Sequence, residues 1–294
     1  MNIYGPVKSR RLGNSLGISI VPNKVCSFDC VYCELDPTEK LIGESDYYIS
    51  ADEILNDLES FLMNNDKDID VFTITGFGEP TLNKNINLIA KTIKKKYKYP
   101  LVLITNSSFL DSKEAIDSFK YFDKIMPSLD AVSEDIFQKI DRPHNSILAK
   151  KMVENIILLR GNYNGEIELE IVFCEGINDT TDEIGLLYET AKKIMPDKVF
   201  INSVARKPAY NYAKPINLEL INSLNTLFLG VTLLIKYKDK KLDIDSLSSE
   251  LKKTPLDFNI IKSITSRELS ENELMKHDTS IKKIEVLNKI LYYV

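Results

Sequence analysis

The stretch Val25-Cys26-Ser27-Phe28-Asp29-Cys30-Val31-Tyr32-Cys33 sets three cysteines in a C-x3-C-x2-C spacing. Three thiolates on one short loop can each bind one iron of a [4Fe–4S] cluster, whereas ordinary electron-transfer clusters use four cysteines. One iron is then left without a protein thiolate and can bind a reactant, as a catalytic zinc site keeps one position open. We therefore predict that Cys26, Cys30 and Cys33 are metal ligands of a catalytic cluster.

A structural zinc loop is the competing interpretation of these cysteines. Zinc would need a fourth Cys or His close by, but the next cysteine is Cys174 and the histidines are His144 and His277. Cys174 is expected to be a buried thiol that packs like a small apolar residue, with a substrate radical or an auxiliary ligand as the alternative role. Four cysteines, three of them clustered, are typical of metal chemistry in a reducing cytoplasm and not of a disulfide framework.

The cysteine stretch and four further segments resemble the radical S-adenosylmethionine (SAM) superfamily, in the branch related to the tRNA wyosine-base (4-demethylwyosine) synthases. The aromatic residue before the last cysteine is Tyr32, and the other segments are Tyr4–Gly13, Thr75–Leu82, Ser128–Ala131 and Asp141–His144. The resemblance covers about residues 1–215. It implies that the open iron chelates SAM and that an electron from the cluster splits the sulfonium. The products are methionine and a 5′-deoxyadenosyl radical, which abstracts hydrogen from a substrate.

Composition sets limits on the kind of protein. The 294 residues are 44% hydrophobic and 28% charged, with a net charge of −5, which is typical of a soluble globular protein. No run approaches the roughly 20 apolar residues of a membrane span, and the start lacks the basic and apolar regions of a signal peptide. We expect a cytoplasmic protein without a membrane partner.

Short β-branched runs alternate with helical patterns from about residue 17 to residue 230. The predicted strands are Gly17–Val21, Val71–Thr75, Leu101–Thr105, Lys124–Leu129, Ile167–Phe173 and Lys198–Asn202. The predicted helices are Ala51–Met63, Asn85–Tyr97, Ser112–Lys120, Ser146–Arg160, Asp182–Ile194 and Asn217–Phe228. This alternation predicts an α/β fold of six parallel β/α units, a (β/α)6 partial barrel open on one side. The resemblance implies the same fold.

The pattern changes after Lys236. Residues 1–236 are predicted to form the barrel, and residues 237–294 a small, mostly helical domain with a helix-turn-helix pair. Basic and acidic residues balance there, nine against nine from Lys241 onward. DNA binding is therefore not expected, since nucleic-acid binding is favoured by a basic surface. Packing or substrate recognition is the preferred role.

The motifs follow the predicted strands, and chemistry gathers at the carboxyl ends of strands in parallel β/α folds. Gly76 and Gly78 permit a positive φ and a close approach of backbone to a ligand. Pro80 stiffens the turn, and Glu79 supplies a carboxylate. The resemblance assigns this turn to the ammonium group of SAM.

Five further residues are predicted SAM contacts by resemblance. Tyr32 should pack close to the adenine, and Val172 marks the segment that offers the adenine a backbone contact. Ser128 and Asp130 match the ribose-binding segment, because a diol suits short hydroxyl and carboxylate acceptors. Asn106 is placed near the SAM carboxylate, with a local Asx-type loop bond as its alternative role.

Several cationic residues are candidates for binding a substrate. Arginine binds carboxylate or phosphate with two hydrogen bonds, and the candidates are Arg10, Arg11, Arg142 and Arg206. His144 could transfer protons. Lysines between Lys91 and Lys98 are expected to be a solvated helix end, with an RNA-facing patch as the alternative.

The leading hypothesis is a radical SAM enzyme acting on a tRNA base, a peptide or protein, or a small metabolite. The wyosine synthases carry extra upstream cysteines, but no cysteine precedes Cys26, which argues against that reaction. Reduced flavodoxin or ferredoxin is the expected electron donor. The alternatives are a non-catalytic iron–sulfur redox carrier and a zinc-stabilised nucleic-acid-binding module. The C-terminal segment or the substrate is expected to close the barrel mouth.

Overall fold

A computed structural model describes residues 2–9, 11–65 and 68–237, with side chains described up to Phe228. The predicted C-terminal domain, residues 237–294, lies outside the described residues apart from Tyr237, and so does Arg10. The strands are β1 (Ile3–Ser9), β2 (Gly13–Ile18), β3 (Val25–Cys26), β4 (Lys40–Leu41), β5 (Val71–Ile74), β6 (Leu101–Thr105), β7 (Lys124–Pro127), β8 (Glu166–Phe173) and β9 (Lys198–Ser203). The helices are α1 (Ala51–Asn64), α2 (Ile86–Lys96), α3 (Lys113–Ser118), α4 (Glu134–Ile140), α5 (Ala149–Asn162), α6 (Thr181–Ile194) and α7 (Leu218–Tyr237).

One sheet dominates the fold, with its strands in the order β1-β2-β5-β6-β7-β8-β9. From β2 to β9 the neighbours pair in parallel, and only β1 pairs antiparallel, with β2. Parallel neighbours need a crossover connection, usually a helix, and α1 to α6 lie in those connections. The predicted parallel α/β fold is confirmed.

Three of the described helices, α1, α3 and α6, begin at a polar side chain that caps them. The Ser50 hydroxyl accepts the backbone N–H of Glu53 at 3.2 Å at the start of α1, and Ser112 and Thr180 cap α3 and α6 in the same way. Behind Ser50, Ile54 and Leu58 recur at helical spacing and are fully buried. Burial of each such side chain contributes about 1.5–3 kcal/mol, so packing against the sheet holds the helix in place.

The two faces of the sheet differ in character. In β8, Leu169 and Ile171 are fully buried among the core residues, while the alternate residues Glu168, Glu170 and Val172 lie on the opposite face. Glu170 and Val172 line a cavity on that face. The helices therefore cover one face, and the other forms the interior in which the candidate site lies.

Four features of the observed elements differ from the predictions. The first parallel strand is Gly13–Ile18, not Gly17–Val21, and an unpredicted strand, Ile3–Ser9, extends the sheet beyond it. The unpredicted helix α4 (Glu134–Ile140) precedes α5. The last helix continues to Tyr237, beyond its predicted end at Phe228. Within the described ranges, none of the helices has the length and apolar character that crossing a bilayer requires.

Candidate active site

The predicted site residues come together at the carboxyl edge of the parallel sheet. The cysteine loop follows β2, the Gly76–Pro80 turn follows β5, and Asn106 follows β6. Ser128 and Asp130 follow β7, and Val172 lies near the end of β8. Elements far apart in sequence thus contribute to one region, as parallel β/α architecture requires.

The three cysteines of the loop are free thiols, each partly buried. They lie close enough to affect one another's ionisation, because charge on neighbouring cysteines contributes to the raised pKa of Cys30. Burial is the main cause, and it also raises the pKa of Cys26 to about 12. The backbone N–H of Cys33 donates to the Cys30 carbonyl at 3.1 Å, which closes the C-x2-C turn. Among the residues that the structure describes, no three Cys, His, Asp or Glu side chains converge on one point as a single ion would need.

The Gly76–Pro80 turn packs directly on the cysteine loop. The backbone N–H of Lys24 donates to the Phe77 carbonyl at 2.7 Å, and that of Glu79 to the Val25 carbonyl at 3.1 Å. Gly76 has φ +134°, as predicted for a glycine-dependent turn. At Gly78 the close approach is to protein: an added Cβ would lie 1.8 Å from the Val25 carbonyl oxygen. Gly78 therefore allows the turn to pack closely against Val25, the residue before Cys26.

The Glu79 carboxylate is buried, and burial raises its pKa. Its Oε1 accepts the hydroxyls of Thr81 and Thr105 at 2.5 and 2.7 Å and the Thr81 N–H at 2.9 Å. Its Oε2 accepts the N–H of Asn106 at 2.7 Å. Oε2 thus accepts one hydrogen bond from the described residues, whereas Oε1 accepts three.

Asn106 makes the local Asx-type bond that was its alternative predicted role, and it also contacts the cysteine loop. Its Oδ1 accepts the N–H and hydroxyl of Ser108 at 3.1 and 2.6 Å, which is a local Asx-type bond. Its Nδ2 donates to the Ser27 hydroxyl at 2.8 Å and lies 3.7 Å from the Cys26 sulfur. The side chain thus reaches the cysteine loop from β6.

Tyr32 and Asp130 form a bonded pair. The Tyr32 hydroxyl donates to Oδ2 of Asp130, and the Val172 N–H donates to Oδ1 at 2.6 Å. Burial raises the pKa of Asp130 to about 7. A second buried carboxyl, Asp141, contacts the Cys30 sulfur at 3.4 Å, and burial with the nearby Asp130 charge raises its pKa. Asp141 begins the Asp141–His144 segment, for which the resemblance implies no role at this position.

A cavity of about 400 Å3 opens beside the cysteine loop. Cys30, Cys33 and Tyr32 line it, together with side chains from the strand ends. The strand-end and loop residues in its wall include Thr75, Ile104, Ser128, Glu170, Val172 and Asn202. Of the predicted SAM contacts, Tyr32, Ser128 and Val172 line this cavity, whereas Asn106, Asp130 and the Gly76–Pro80 turn do not.

The predicted anion-binding arginines have protein partners. Arg11 donates to Glu168 and Glu170, at 3.1 Å each, and its guanidinium lies 4.2 Å above the Phe200 ring. The prediction of a free anion clamp was therefore wrong for Arg11, whose charge is used inside the barrel. Arg206 pairs with Glu34 at 2.5 Å, and both line the cavity.

Arg142 and His144 also contact protein. The Arg142 Nε donates to Asp29 at 3.0 Å, and the His144 Nδ1 lies 2.8 Å from the Ser146 hydroxyl. Asp29 and its partner Tyr210 were not singled out from the sequence. Asp29 could have been noticed because it lies inside the cysteine motif, whereas nothing in the sequence pairs it with Tyr210.

The lysines of α2 lie at the opposite edge of the sheet, since the end of α2 leads into the start of β6. Lys94 pairs with Asp123, and Lys96 pairs with Glu59. This arrangement matches the solvated helix end that was preferred over an RNA-facing patch.

Sequence comparisons with known proteins show which family the chain belongs to. The sequence model of the Radical SAM superfamily matches residues 20–188. The chain is 36% identical over 228 residues to "UPF0026 protein MJ1312" of Methanocaldococcus jannaschii, covering 76% of this chain and 70% of that protein. It is 34% identical over 304 residues to a protein of Brachyspira hyodysenteriae named "GTPase Obg", with 99% of this chain matched. The chain spans 45% of the length of that relative.

Solved structures share the fold at low sequence identity. Streptococcus suis SuiB bound to the precursor peptide SuiA has a TM-score of 0.54 and 16% identity, covering 76% of this chain and 46% of that one. TYW1 with a lysine–pyruvate adduct bound has a TM-score of 0.52 and 12% identity, covering 79% and 78%. The curled, mainly parallel sheet is thus the radical SAM partial barrel. The chain belongs to the radical SAM superfamily, and it is an enzyme of the class that uses a [4Fe–4S] cluster and S-adenosylmethionine.

Proposed function

We propose that Cys26, Cys30 and Cys33 hold the cluster of this enzyme and that its substrate binds in the adjoining cavity. One observation carries the proposal: Cys30, Cys33 and Tyr32 line the same recess as the strand-end residues of the SAM motifs. A thiolate loop that served only as a redox carrier would need no such recess.

The donor set fits an iron–sulfur cluster. Three free thiols on one loop provide the sulfur ligands that such clusters use. Each thiolate would bind a different iron, so the three need not converge on one point. Because the pKa values of Cys26 and Cys30 are raised, metal uptake must displace thiol protons. When bound, the cluster and SAM supply a 5′-deoxyadenosyl radical, with methionine as the coproduct.

The predicted SAM contacts divide into two groups. Asn106, Ser128 and the backbone of Gly76, Gly78, Pro80 and Val172 are proposed to face the nucleotide, with Glu79 Oε2 as a further acceptor. Asp130 has both carboxylate oxygens engaged, by Tyr32 and by the Val172 N–H. We propose that Asp130 fixes the Tyr32 ring and the Val172 backbone. A ribose hydroxyl that bound Asp130 would have to donate to an oxygen that already accepts one of these two hydrogen bonds.

The cavity limits what the substrate can be. Its volume of about 400 Å3 lies near the lower end for ligand pockets, about 300–1,000 Å3, and SAM must occupy part of it. The reacting group of the substrate must therefore be small, with any larger remainder outside the mouth. A tRNA base, a side chain of a peptide or protein, and a small metabolite all satisfy this limit. Reduced flavodoxin or ferredoxin remains the predicted electron donor.

We do not assign GTPase activity to this chain, although one of its relatives is named a GTPase. A phosphate-binding P-loop has the pattern G-x-x-x-x-G-K-[ST], and the 294 residues contain no such pattern. The matched region instead holds the cysteine loop and the Gly76–Pro80 turn.

Anaerobic reconstitution with iron and sulfide tests the proposal. We expect about four iron and four sulfide per chain, and 5′-deoxyadenosine formation when dithionite and SAM are added. A cluster that never cleaves SAM would favour the redox carrier. Bound zinc without iron would favour the zinc-stabilised module.

A further inference from the structure

Asp29 lies inside the cysteine loop and joins three separate segments. Its Oδ1 accepts the backbone N–H of Thr38 at 2.7 Å. Its Oδ2 accepts the Tyr210 hydroxyl at 2.6 Å and the Arg142 Nε at 3.0 Å. The carboxylate is buried, with one cationic and two neutral donors around it. Hydrogen bonds to a charged group are among the strongest in proteins, so this contact fixes the loop firmly.

Tyr210 belongs to the segment between β9 and α7, which we call the strap (residues 204–216). The Tyr210 N–H donates to the Val31 carbonyl at 3.1 Å, and its ring lies under the Arg142 guanidinium, 4.6 Å away. The strap is itself anchored, because Glu175 N–H donates to the Lys214 carbonyl at 2.9 Å. A well-fixed segment therefore holds the cysteine loop from one side.

The turn at residues 140–144 holds the loop from the other side. The Val31 N–H donates to the Ile140 carbonyl at 2.9 Å, and the Asp29 N–H to the Asp141 carbonyl at 3.0 Å. The residues before and after Cys30 are thus both tied to other parts of the fold. Cys30 has its neighbours fixed by the strap as well as by this turn.

We propose that Asp29 and Tyr210 are positioning residues for the cluster, acting through the backbone around Cys30. The inference rests on the proposed function, since it concerns the same three thiolates. Neither side chain is among the residues that line the cavity, so the proposed role acts through the backbone of the loop. Groups that orient metal ligands without binding the metal tune its affinity and electronic properties.

The strap also borders the cavity, which distinguishes it from an ordinary packing segment. Val204, Ala205 and Arg206 line the cavity wall, and Arg206 pairs with Glu34, the residue after Cys33. One segment therefore touches the cysteine loop on both sides of the Cys30–Cys33 turn. A change at Tyr210 should therefore alter the properties of the cluster more than it alters the stability of the fold.

The Tyr210→Phe variant tests the inference, because it removes the hydroxyl alone. The matched control is Tyr163→Phe, since buried Tyr163 donates one hydrogen bond to the Phe122 carbonyl at 3.2 Å, before β8 and away from the cysteine loop. Both full-length variants and the parent are reconstituted anaerobically. We measure the electron paramagnetic resonance spectrum of the reduced cluster and the rate of iron loss to a chelator. We expect Tyr210→Phe to broaden or shift the spectrum and to lose iron several-fold faster, and Tyr163→Phe to match the parent.

The outcomes separate this inference from the proposed function. A parent chain that takes up no cluster contradicts the proposed function itself. A loaded parent whose spectrum and iron loss are unchanged in Tyr210→Phe overturns the positioning role alone. If Tyr210→Phe does not fold, Asp29→Asn decides by the same two measurements, because it keeps the shape of the side chain and removes its charge.

Discussion

The Glu79 carboxylate accepts the backbone N–H of Asn106 at 2.7 Å and so joins the ends of two neighbouring strands. The same carboxylate holds Thr81 within its own turn and Thr105 at the end of β6. The turn after β5 also bonds to Val25 in the cysteine loop. Glu79 thus connects the cysteine loop, the glycine turn and β6 before any ligand binds.

The Glu79→Gln variant should be destabilised by about 1–3 kcal/mol, because an amide NH2 would then face a buried donor. Chemical denaturation of the metal-free chain measures the effect. The control is Glu154→Gln, an exposed residue in an i,i+4 pair with Lys150, for which we expect a change within about 0.5 kcal/mol. Equal stability of the two variants would contradict the joining role of Glu79.

The contact between Gly78 and Val25 predicts a steric effect on the cysteine loop. In Gly78→Ala the new Cβ meets a carbonyl oxygen at 1.8 Å, and backbone must move to relieve it. Overpacking of this kind costs on the order of 3 kcal/mol, and we expect iron uptake to fall as well. Thermal unfolding and iron content after reconstitution are the measurements.

Gly185→Ala is the matched control for Gly78→Ala. Gly185 lies within α6, and an added Cβ there meets nothing within 4 Å. Alanine in a helix interior stabilises by roughly 0.5–1 kcal/mol relative to glycine, so we expect a gain in stability and unchanged iron uptake. If both variants behaved alike, the tight contact at Val25 would not be the cause.

The parallel fold was predictable because its signals are local. Five of the six predicted parallel strands overlap the observed strands closely, and the helices after them begin at caps that are visible in the sequence, such as Ser50 and Ser112. Because active-site residues of parallel β/α folds lie at the carboxyl ends of the strands, the motifs could be predicted to lie at one edge of the sheet. The spacing of the three cysteines needed no structure at all.

Partners distant in sequence could not be predicted. The sequence shows the positive charge of Arg11 but not its partners. Those partners, Glu168 and Glu170, lie in β8, 157 and 159 residues further along the chain. Strand β1 was not predicted because it pairs antiparallel with β2 at the edge of the sheet, outside the alternation of strands and helices on which the prediction was based. Short α4 was not predicted because its seven residues make too few turns to give a periodic signal.

The cysteines themselves supply a direct prediction about the cluster. Cys30→Ala should abolish both cluster assembly and SAM cleavage, because two thiolates remain for a site that needs three. Cys174→Ala is the control: this thiol is fully buried at the end of β8, so its loss leaves a small cavity and should not affect iron binding. Iron content and 5′-deoxyadenosine formation are measured after anaerobic reconstitution. Turnover by Cys30→Ala would disprove the ligand assignment.

Arg11 predicts a stability effect that depends on pH. Its guanidinium is mostly buried and compensates Glu168 and Glu170, and Lys124 also pairs with Glu168, at 3.2 Å. In Arg11→Met, Glu170 keeps the Asn202 amide, at 3.2 Å, as its side-chain partner among the residues that the structure describes. An uncompensated buried charge costs about 3–5 kcal/mol, so we expect a loss of that order in chemical denaturation at neutral pH.

The loss should shrink as the pH falls, because protonation removes the uncompensated charge. The destabilisation is therefore expected to be greatest at neutral pH, where carboxyl groups are ionised, and to fade as the pH falls. A second change, Glu170→Gln, should recover part of the stability in the double variant at neutral pH. Arg206→Gln, which breaks an exposed pair, should cost no more than about 1 kcal/mol. An Arg11→Met loss that stayed constant from neutral to mildly acid pH would show that packing on Phe200, and not charge compensation, is what Arg11 contributes.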